Sequence, residues 1–203
     1  MKTIACLGSG VGTDGDPCYN AMVEVGRLLA GRSCIVVTGG FGGVGMEAPA
    51  KGAREAGGTA IGYTTFGFEG NGFLTQQVDC RQLYVDVSHK VGVGDEEPHL
   101  EPPPEVQSGI RRAMLLSADG FIVAAGGGPG TMVELMAIIN NNHRIWRDKP
   151  KYVAILKPVG VDCEGWDISM LRKLTEWGVL PREARGFILV VDTPEKAVGW
   201  VTS

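Results

Sequence analysis

Short apolar runs alternate along the chain with longer segments in which apolar residues recur at helical spacing. The runs are apolar at successive positions, which is typical of parallel strands covered on both faces. They are Thr3–Leu7, Cys34–Thr38, Thr59–Tyr63, Gln82–Val87, Gly120–Ala125, Tyr152–Leu156 and Phe187–Val191. The pattern predicts one α/β domain over residues 1–203, with a doubly wound, mostly parallel Rossmann-like sheet of about seven strands and helices on both faces.

The helices between these runs carry recognisable start signals. Asp16 and Pro17 suit the N-cap and the first turn of the first helix. The predicted helices are Pro17–Ala30, one that ends near Ala56, Pro104–Ser117, Thr131–Asn142, Ile168–Trp177 and Pro194–Val201. The segment Ser88–Glu105 interrupts the alternation with prolines and acidic residues. A connection of this length is interpreted either as a solvated loop or as a lid over a site.

Composition narrows the function classes. Hydrophobic residues make up 44% of the 203 residues, and the formal net charge is −4. These values argue against disorder and against a basic nucleic-acid surface. No apolar stretch reaches the length of a membrane span. The five cysteines are scattered without metal-ligand spacing, which predicts reduced thiols, a cytoplasmic location and no metal site.

Glycine clusters follow three of the predicted strands: Gly8–Gly12, Gly39–Gly43 and Gly126–Gly130. Strand ends of a parallel sheet share one edge, where backbone amides and helix N-termini attract anions. A phosphate-bearing small molecule is therefore the expected ligand. The predicted binding residues are Gly8, Ser9, Gly39, Gly40, Gly42, Gly43, Met46, Gly127, Gly128, Gly130 and Thr131.

Two familiar nucleotide motifs are excluded. Thr13 stands where the third glycine of a dinucleotide fingerprint belongs, and the second strand ends Val37-Thr38-Gly39 without a ribose-binding acid. No glycine cluster is followed by the Gly-Lys-Ser/Thr of a phosphate-binding P-loop. In the third cluster, Thr131 and Glu134 have the spacing of a capping box, so the pair has a structural interpretation beside the functional one.

The third cluster, Gly127-Gly128-Pro129-Gly130-Thr131-Met132-Val133-Glu134, resembles the PGGxGTxxE signature of the LONELY GUY (LOG) family, long labelled lysine decarboxylases. Residues 39–46 resemble that family's GGGxxGLM loop, and residues 6–9 its CGSS strand end. The resemblance implies a Rossmann-like fold, a homodimer and hydrolysis of the N-glycosidic bond of nucleoside 5′-monophosphates. No lysine context for pyridoxal phosphate supports decarboxylation.

The chain also departs from this family pattern. Gly126 replaces the signature proline, Glu47 replaces a glycine, and the family's arginine position holds Ile110, followed by Arg111 and Arg112. These departures resemble a divergent branch that includes molybdenum cofactor carriers.

Two hypotheses follow. The first is a phosphoribohydrolase with Glu134, Arg111 and Arg112 as catalytic residues. The second is a non-catalytic carrier of a nucleotide or of molybdenum cofactor, with no cofactor required for chemistry.

Overall fold

The computed structural model describes residues 1–63, 104–161, 166–180 and 186–203. Its strands are β1 (Thr3–Leu7), β2 (Ile35–Thr38), β3 (Ala60–Gly62), β4 (Gly120–Ala124), β5 (Val153–Leu156) and β6 (Ile188–Val191). Its helices are α1 (Pro17–Gly31), α2 (Glu47–Glu55), α3 (Pro104–Leu116), α4 (Pro129–Arg144), α5 (Trp166–Glu176) and α6 (Pro194–Thr202). The predicted strand Gln82–Val87 and residues 88–103 of the predicted lid lie outside the described residues.

The strands form one parallel sheet in the order β3-β2-β1-β4-β5-β6. Strand β1 is central and pairs with β2 on one side and with β4 on the other, for example Ile4 with Val36 and with Gly120. The chain therefore winds outward in one direction from β1 to β3 and in the other from β4 to β6, which confirms the predicted doubly wound Rossmann-like sheet. Between β1 and β4 the winding reverses, and ligands of such sheets bind at this switch point.

Each face of the sheet is covered by its own helices. Ile4 and Cys6 of β1 pack towards α1, α2 and α6, whereas Ala5 and Leu7 pack towards α3, α4 and α5. Burial raises the pKa of the Cys6 thiol, so it stays protonated and behaves as a small apolar side chain. Two apolar layers thus fix β1 and β4 in the middle of the molecule.

Helices α1 and α2 cross at very close range because both present glycine at the contact. A Cβ atom at Gly26 would overlap the carbonyl oxygen of Pro49, and one at Gly52 would overlap the carbonyl oxygen of Val23. This packing holds the start of α2 beside the loop that follows β1. Within the described ranges, no helix is long and apolar enough to cross a membrane.

Candidate functional site

The three glycine clusters follow β1, β2 and β4, and the parallel pairing places all three at the carboxyl edge of the sheet. The clusters after β1 and β4 flank the switch point directly. Each cluster leads into a helix, so three helix N-termini approach this edge. The hydrogen bonds at these N-termini show which of them could still accept an anion.

The first two clusters pack against each other through their backbones. The amides of Val44 and Gly45 donate to the carbonyls of Val11 and Ser9, at 3.1 and 3.0 Å. A Cβ atom at Gly45 would overlap the backbone of Gly8. Gly43 has a φ of +88°, and a Cβ atom there would overlap the carbonyl group of Gly10. Close loop packing accounts for the glycine at these positions, including Gly8 and Gly43, which the sequence analysis assigned to the ligand.

The N-terminus of α1 is closed by a carboxylate. As predicted, Asp16 is the N-cap, and its Oδ1 accepts from the amides of Cys18 and Tyr19 at 2.7 and 3.4 Å. Both Oδ atoms of Asp14 in the same loop accept from Lys51 Nζ, at 2.7 and 2.9 Å. Asp16 therefore already occupies amides at the helix start where a dinucleotide fold would bind a pyrophosphate.

The N-terminus of α2 is closed by a backbone carbonyl. The carbonyl oxygen of Gly43 lies within hydrogen-bonding distance of the amides of Met46, Glu47 and Ala48, at 3.4, 3.1 and 3.2 Å. Glu47 adds a carboxylate to the first turn. An anionic ligand would therefore find the first amides of α2 already used.

Among the described residues, no group closes the N-terminus of α4. Its N-cap is Gly128, no side chain caps it, and Pro129 at the first helical position has no amide to satisfy. The amides of Gly130 and Thr131 have no hydrogen-bond acceptor among the described residues. Among the described residues, no atom lies within 4 Å of a Cβ atom built at Gly128 or at Gly130. Two amides and the positive end of the helix dipole are therefore not satisfied by the described part of the chain.

The capping box that the sequence allows at Thr131 and Glu134 does not form. Helix α4 begins at Pro129, two residues earlier than predicted, so Glu134 lies in the second turn, too far along for a capping role. The Thr131 side chain is only 5% exposed and packs on Gly127, where a Cβ atom would lie 2.6 Å from it. This contact explains the glycine at Gly127, another of the predicted ligand positions.

Arg111 of α3 reaches across to the carboxyl ends of two strands. Its Nε donates to the carbonyl of Tyr63 at 2.8 Å, and its Nη2 donates to the carbonyl of Gly39 at 3.4 Å. The guanidinium carbon lies 5.7 Å from the centre of the Phe41 ring. A Cβ atom at Gly39 would overlap this guanidinium group, so Gly39 makes room for the arginine.

Glu134 faces the same arginine from α4. Its Oε1 lies 3.7 Å from Nη1 of Arg111, and the two side chains are 13% and 20% exposed. No described residue donates a hydrogen bond to this carboxylate. Burial raises the pKa of Glu134, while the charges of Arg111 and Arg112 oppose the shift. Burial likewise lowers the pKa of Arg111 against the influence of Glu134, yet an arginine stays charged. At 3.7 Å the pair attracts without a hydrogen bond, so we give burial the greater weight for Glu134.

The remaining predicted residues surround this pair. The Ser9 hydroxyl accepts from the Val11 amide at 3.1 Å within its own loop. The amide of Gly40 donates to the hydroxyl of buried Thr38 at 3.1 Å. A Cβ atom at Gly39 would lie 2.6 Å from the sulfur of Met46, which places that thioether beside the arginine. Gly42 and Arg112 are half-buried, and the side chain of Ile110 lies outside the described part of the chain.

Sequence reasoning missed four contributors to this edge. Tyr63 and Phe41 contact Arg111, Gly45 packs on Gly8, and Lys51 binds Asp14. Phe41 lies within the second glycine cluster and Gly45 follows it closely. The spacing of these residues does not indicate which partner each one contacts. These contacts join residues that are distant in sequence, so only the assembled sheet brings them together.

Comparison with known proteins supports the fold and the resemblance. Residues 1–70 match the model of the SLOG cluster4 family. An uncharacterised protein of Archaeoglobus fulgidus is 25% identical over 153 residues, which cover 75% of this chain and 85% of that protein. The predicted resemblance to LOG-like proteins is thereby confirmed, with the family match covering the first two glycine clusters.

Two solved structures described as molybdenum cofactor proteins share the fold. The carrier protein from Chlamydomonas reinhardtii is 21% identical, with a TM-score of 0.59 and coverage of 99% of this chain and 96% of that chain. The binding protein from Rippkaea orientalis is 19% identical, with a TM-score of 0.62 and coverage of 99% and 95%.

A third structure shows how widely the fold is used. It is DNA processing protein A from Helicobacter pylori, described by its single-stranded DNA binding mode. It is 13% identical, with a TM-score of 0.58 and coverage of 98% of this chain and 79% of that chain. At these identities the neighbours establish the fold, and the ligand has to be inferred from the site itself.

Proposed function

We propose that this LOG-like chain binds a phosphorylated small molecule, a nucleotide or molybdenum cofactor, with its phosphate at the open N-terminus of α4. The observation that carries the proposal is the difference among the three helix starts at the carboxyl edge. Asp16 occupies the first, the Gly43 carbonyl occupies the second, and the amides of Gly130 and Thr131 leave the third available. An anion can satisfy two amides and the helix dipole only at the third.

The charges around the open end favour an anion with one phosphate group. Arg112 is half-buried on α3 and makes no hydrogen bond or ion pair with the described residues, so its charge is available to a ligand. In the loop after β1, Asp16 already occupies amides of α1 and Lys51 is paired with Asp14, so a second phosphate finds these donors taken. The Glu134 carboxylate would accept hydrogen bonds from hydroxyl or N–H groups elsewhere on the ligand.

Molybdenum cofactor is the ligand named for two neighbours of the same fold, and it bears a phosphate. The amides at the start of α4 would donate to its phosphate, and the Glu134 carboxylate would accept from its N–H groups. The described residues contain no cluster of three or more His, Cys, Asp or Glu side chains that could hold a metal ion. We therefore assign recognition to the organic part of the ligand, whichever of the two classes it is.

A calorimetric titration tests binding. We expect AMP and inorganic phosphate to bind the wild-type protein and to lose affinity in Gly130→Val, because that side chain would fill the space in front of the two amides. The matched control is Gly199→Val, since Gly199 also has open space around it but lies on α6, far along the chain from the site. Equal affinity in all three proteins would rule out the α4 terminus as the phosphate site.

Hydrolysis is the second candidate function, and Glu134 is the observation that favours it. Glu134 is largely buried and no described residue donates a hydrogen bond to it, so its carboxylate could stabilise the positive charge that develops on a ribose as its N-glycosidic bond breaks. If hydrolysis occurs, the protein should release free base and ribose 5-phosphate from AMP or CMP. Glu134→Gln should then lower turnover by about 100-fold or more with little change in affinity. A pure carrier would release no base from any monophosphate.

The homodimer implied by the resemblance stays a prediction. Sedimentation at micromolar concentration should show a dimer, and a monomer would remove any site shared between subunits.

The absence of nucleic-acid binding, inferred from the acidic composition, is tested by titration with single-stranded DNA. A net charge of −4 gives DNA little electrostatic attraction.

A further inference from the structure

The two arginines at the end of α3 differ in what they already bind. Arg111 directs Nε and Nη2 at the backbone carbonyls of Tyr63 and Gly39, and its Nη1 faces Glu134. The ring of Phe41 covers the guanidinium plane at 5.7 Å. An arginine that grips a phosphate needs neighbouring donors free for a bidentate contact. Arg111 has these donors committed to protein atoms, whereas Arg112 makes no hydrogen bond or ion pair with the described residues.

We propose that Arg111 is a positioning residue, which fixes the Glu134 carboxylate against the carboxyl ends of β2 and β3 and affects the ligand only through that carboxylate. The inference rests on the proposed function, because it takes Glu134 as a group that meets the ligand. It assigns the two arginines different tasks. Arg111 organises the protein side of the site, and Arg112 is the guanidinium left to approach the ligand's anionic group.

The charge state of Glu134 is the quantity through which Arg111 would act. Among the described residues, the charged groups that influence this carboxyl are Arg111 and Arg112, both on α3. Burial raises the pKa of Glu134, and the two arginines lower it, Arg111 more than Arg112. The charge of Arg111 favours the ionised carboxylate, which accepts hydrogen bonds from a ligand. Once protonated, it would present a donor instead.

A carbon-13 NMR titration of the ligand-free protein tests this effect, with the Glu134 carboxyl signal assigned by its absence in Glu134→Gln. Removal of an opposite charge at this range should raise the titration midpoint in Arg111→Gln by about one pH unit or more. The matched control, Arg112→Gln, should move it by less than half as much. Arg111→Lys keeps the charge and should restore most of the wild-type midpoint.

A double-mutant cycle on AMP affinity tests whether Arg111 acts through Glu134. Arg111→Gln should weaken binding about tenfold in the wild-type background and less than twofold in the Glu134→Gln background. Arg112→Gln should weaken binding by the same factor in both. If Arg111→Gln does not fold, Arg111→Met replaces it in the cycle, because methionine keeps much of the apolar stem and removes the charge.

Two results would overturn the inference. One is a Glu134 titration midpoint that is unchanged in Arg111→Gln. The other is an equal loss of AMP affinity on replacing Arg111 whether or not Glu134 is present, which would make Arg111 a direct ligand contact. The NMR titration needs no ligand, so failure of the proposed binding function would leave it decisive.

Discussion

The loop between β1 and α1 and the loop between β4 and α4 flank the same switch point, and both are rich in glycine, yet they use glycine differently. In the first loop, Gly8 and Gly10 are pressed against the backbone of Gly45 and Gly43, and Asp16 closes the helix behind them. In the second, no described atom lies near a Cβ built at Gly128 or Gly130, and no described side chain caps the helix. We therefore assign the ligand to the cluster whose backbone is not already in contact with the described part of the protein.

This contrast also explains why the chain fails the dinucleotide pattern. A dinucleotide fold places its pyrophosphate at the N-terminus of the first helix, after β1. Here that terminus is capped internally, and the loop carries two aspartates. The anion site that we propose lies on the other side of the switch point, where Gly128-Pro129-Gly130 begins α4. On this proposal the sheet keeps its binding edge, and a different helix binds the anion.

Alanine in place of glycine should lower stability most where the first loop packs on Gly45 of the β2–α2 loop, and least in the second loop. Gly45→Ala would drive a Cβ atom into the backbone of Gly8, and neither backbone can move aside. We expect a loss of about 3 kcal/mol in the free energy of unfolding, measured by urea denaturation. Gly130→Ala should leave stability unchanged or raise it by at most about 1 kcal/mol. Equal effects at the two positions would contradict the distinction.

Closing α4 in the way that α1 is closed should remove the proposed site. Gly128 has extended φ and ψ angles of −81° and −172°, which suit an aspartate N-cap. We expect Gly128→Asp to lower AMP affinity by about 100-fold, or about 2.7 kcal/mol, through lost charge-assisted hydrogen bonds and like-charge repulsion. Thermal stability should not fall. Gly128→Ala is the control, and it should retain most of the affinity.

Removing the cap of α1 should lower stability and leave AMP affinity unchanged, the reverse of the effect expected for Gly128→Asp. Asp16→Ala removes the cap from the amides of Cys18 and Tyr19, so we expect a loss of about 1 kcal/mol of stability. Affinity for AMP should not change, because this helix end is not the proposed phosphate site. A large change in affinity with unchanged stability would place the ligand at the first loop instead.

The smallest expected effect is the pH dependence of stability contributed by Glu134. Its folded-state pKa is raised by burial, so the folded protein holds this proton more tightly than the unfolded chain. Wild-type stability should therefore fall relative to Glu134→Gln as pH rises from about 4.3, the unfolded value, through the folded pKa. Urea denaturation at several pH values measures the difference. A rise in relative wild-type stability with pH would show that Arg111 outweighs burial.

The periodicity of apolar residues and the helix-start signals were sufficient to predict most of the strands and helices that the structure describes. Strand β1 has the predicted bounds, and Asp16 caps α1 as expected, because both follow from residues adjacent in sequence. The start of α4 was placed at Thr131 although Pro129, a residue favoured at the first helical position, was available as a signal. That error produced the capping-box interpretation of Glu134.

The distribution of contacts at the site could not be predicted. The sequence shows Arg111 beside Arg112, and their different partners depend on the rotation of α3 against the ends of β2 and β3. Similarly, Gly8 and Gly128 look alike in sequence. Only the register of the parallel strands brings Gly45 onto the first and leaves the second uncovered.

Mass spectrometry of the small molecules retained by the purified protein tests the central claim most directly, with wild type and Gly128→Asp prepared side by side. We expect a phosphorylated compound from the wild type and a strongly reduced amount from Gly128→Asp, at equal folded protein. The identity of that compound would also decide between a nucleotide and molybdenum cofactor. Equal amounts from both proteins, or only phosphate-free compounds from the wild type, would contradict the assignment of phosphate to α4.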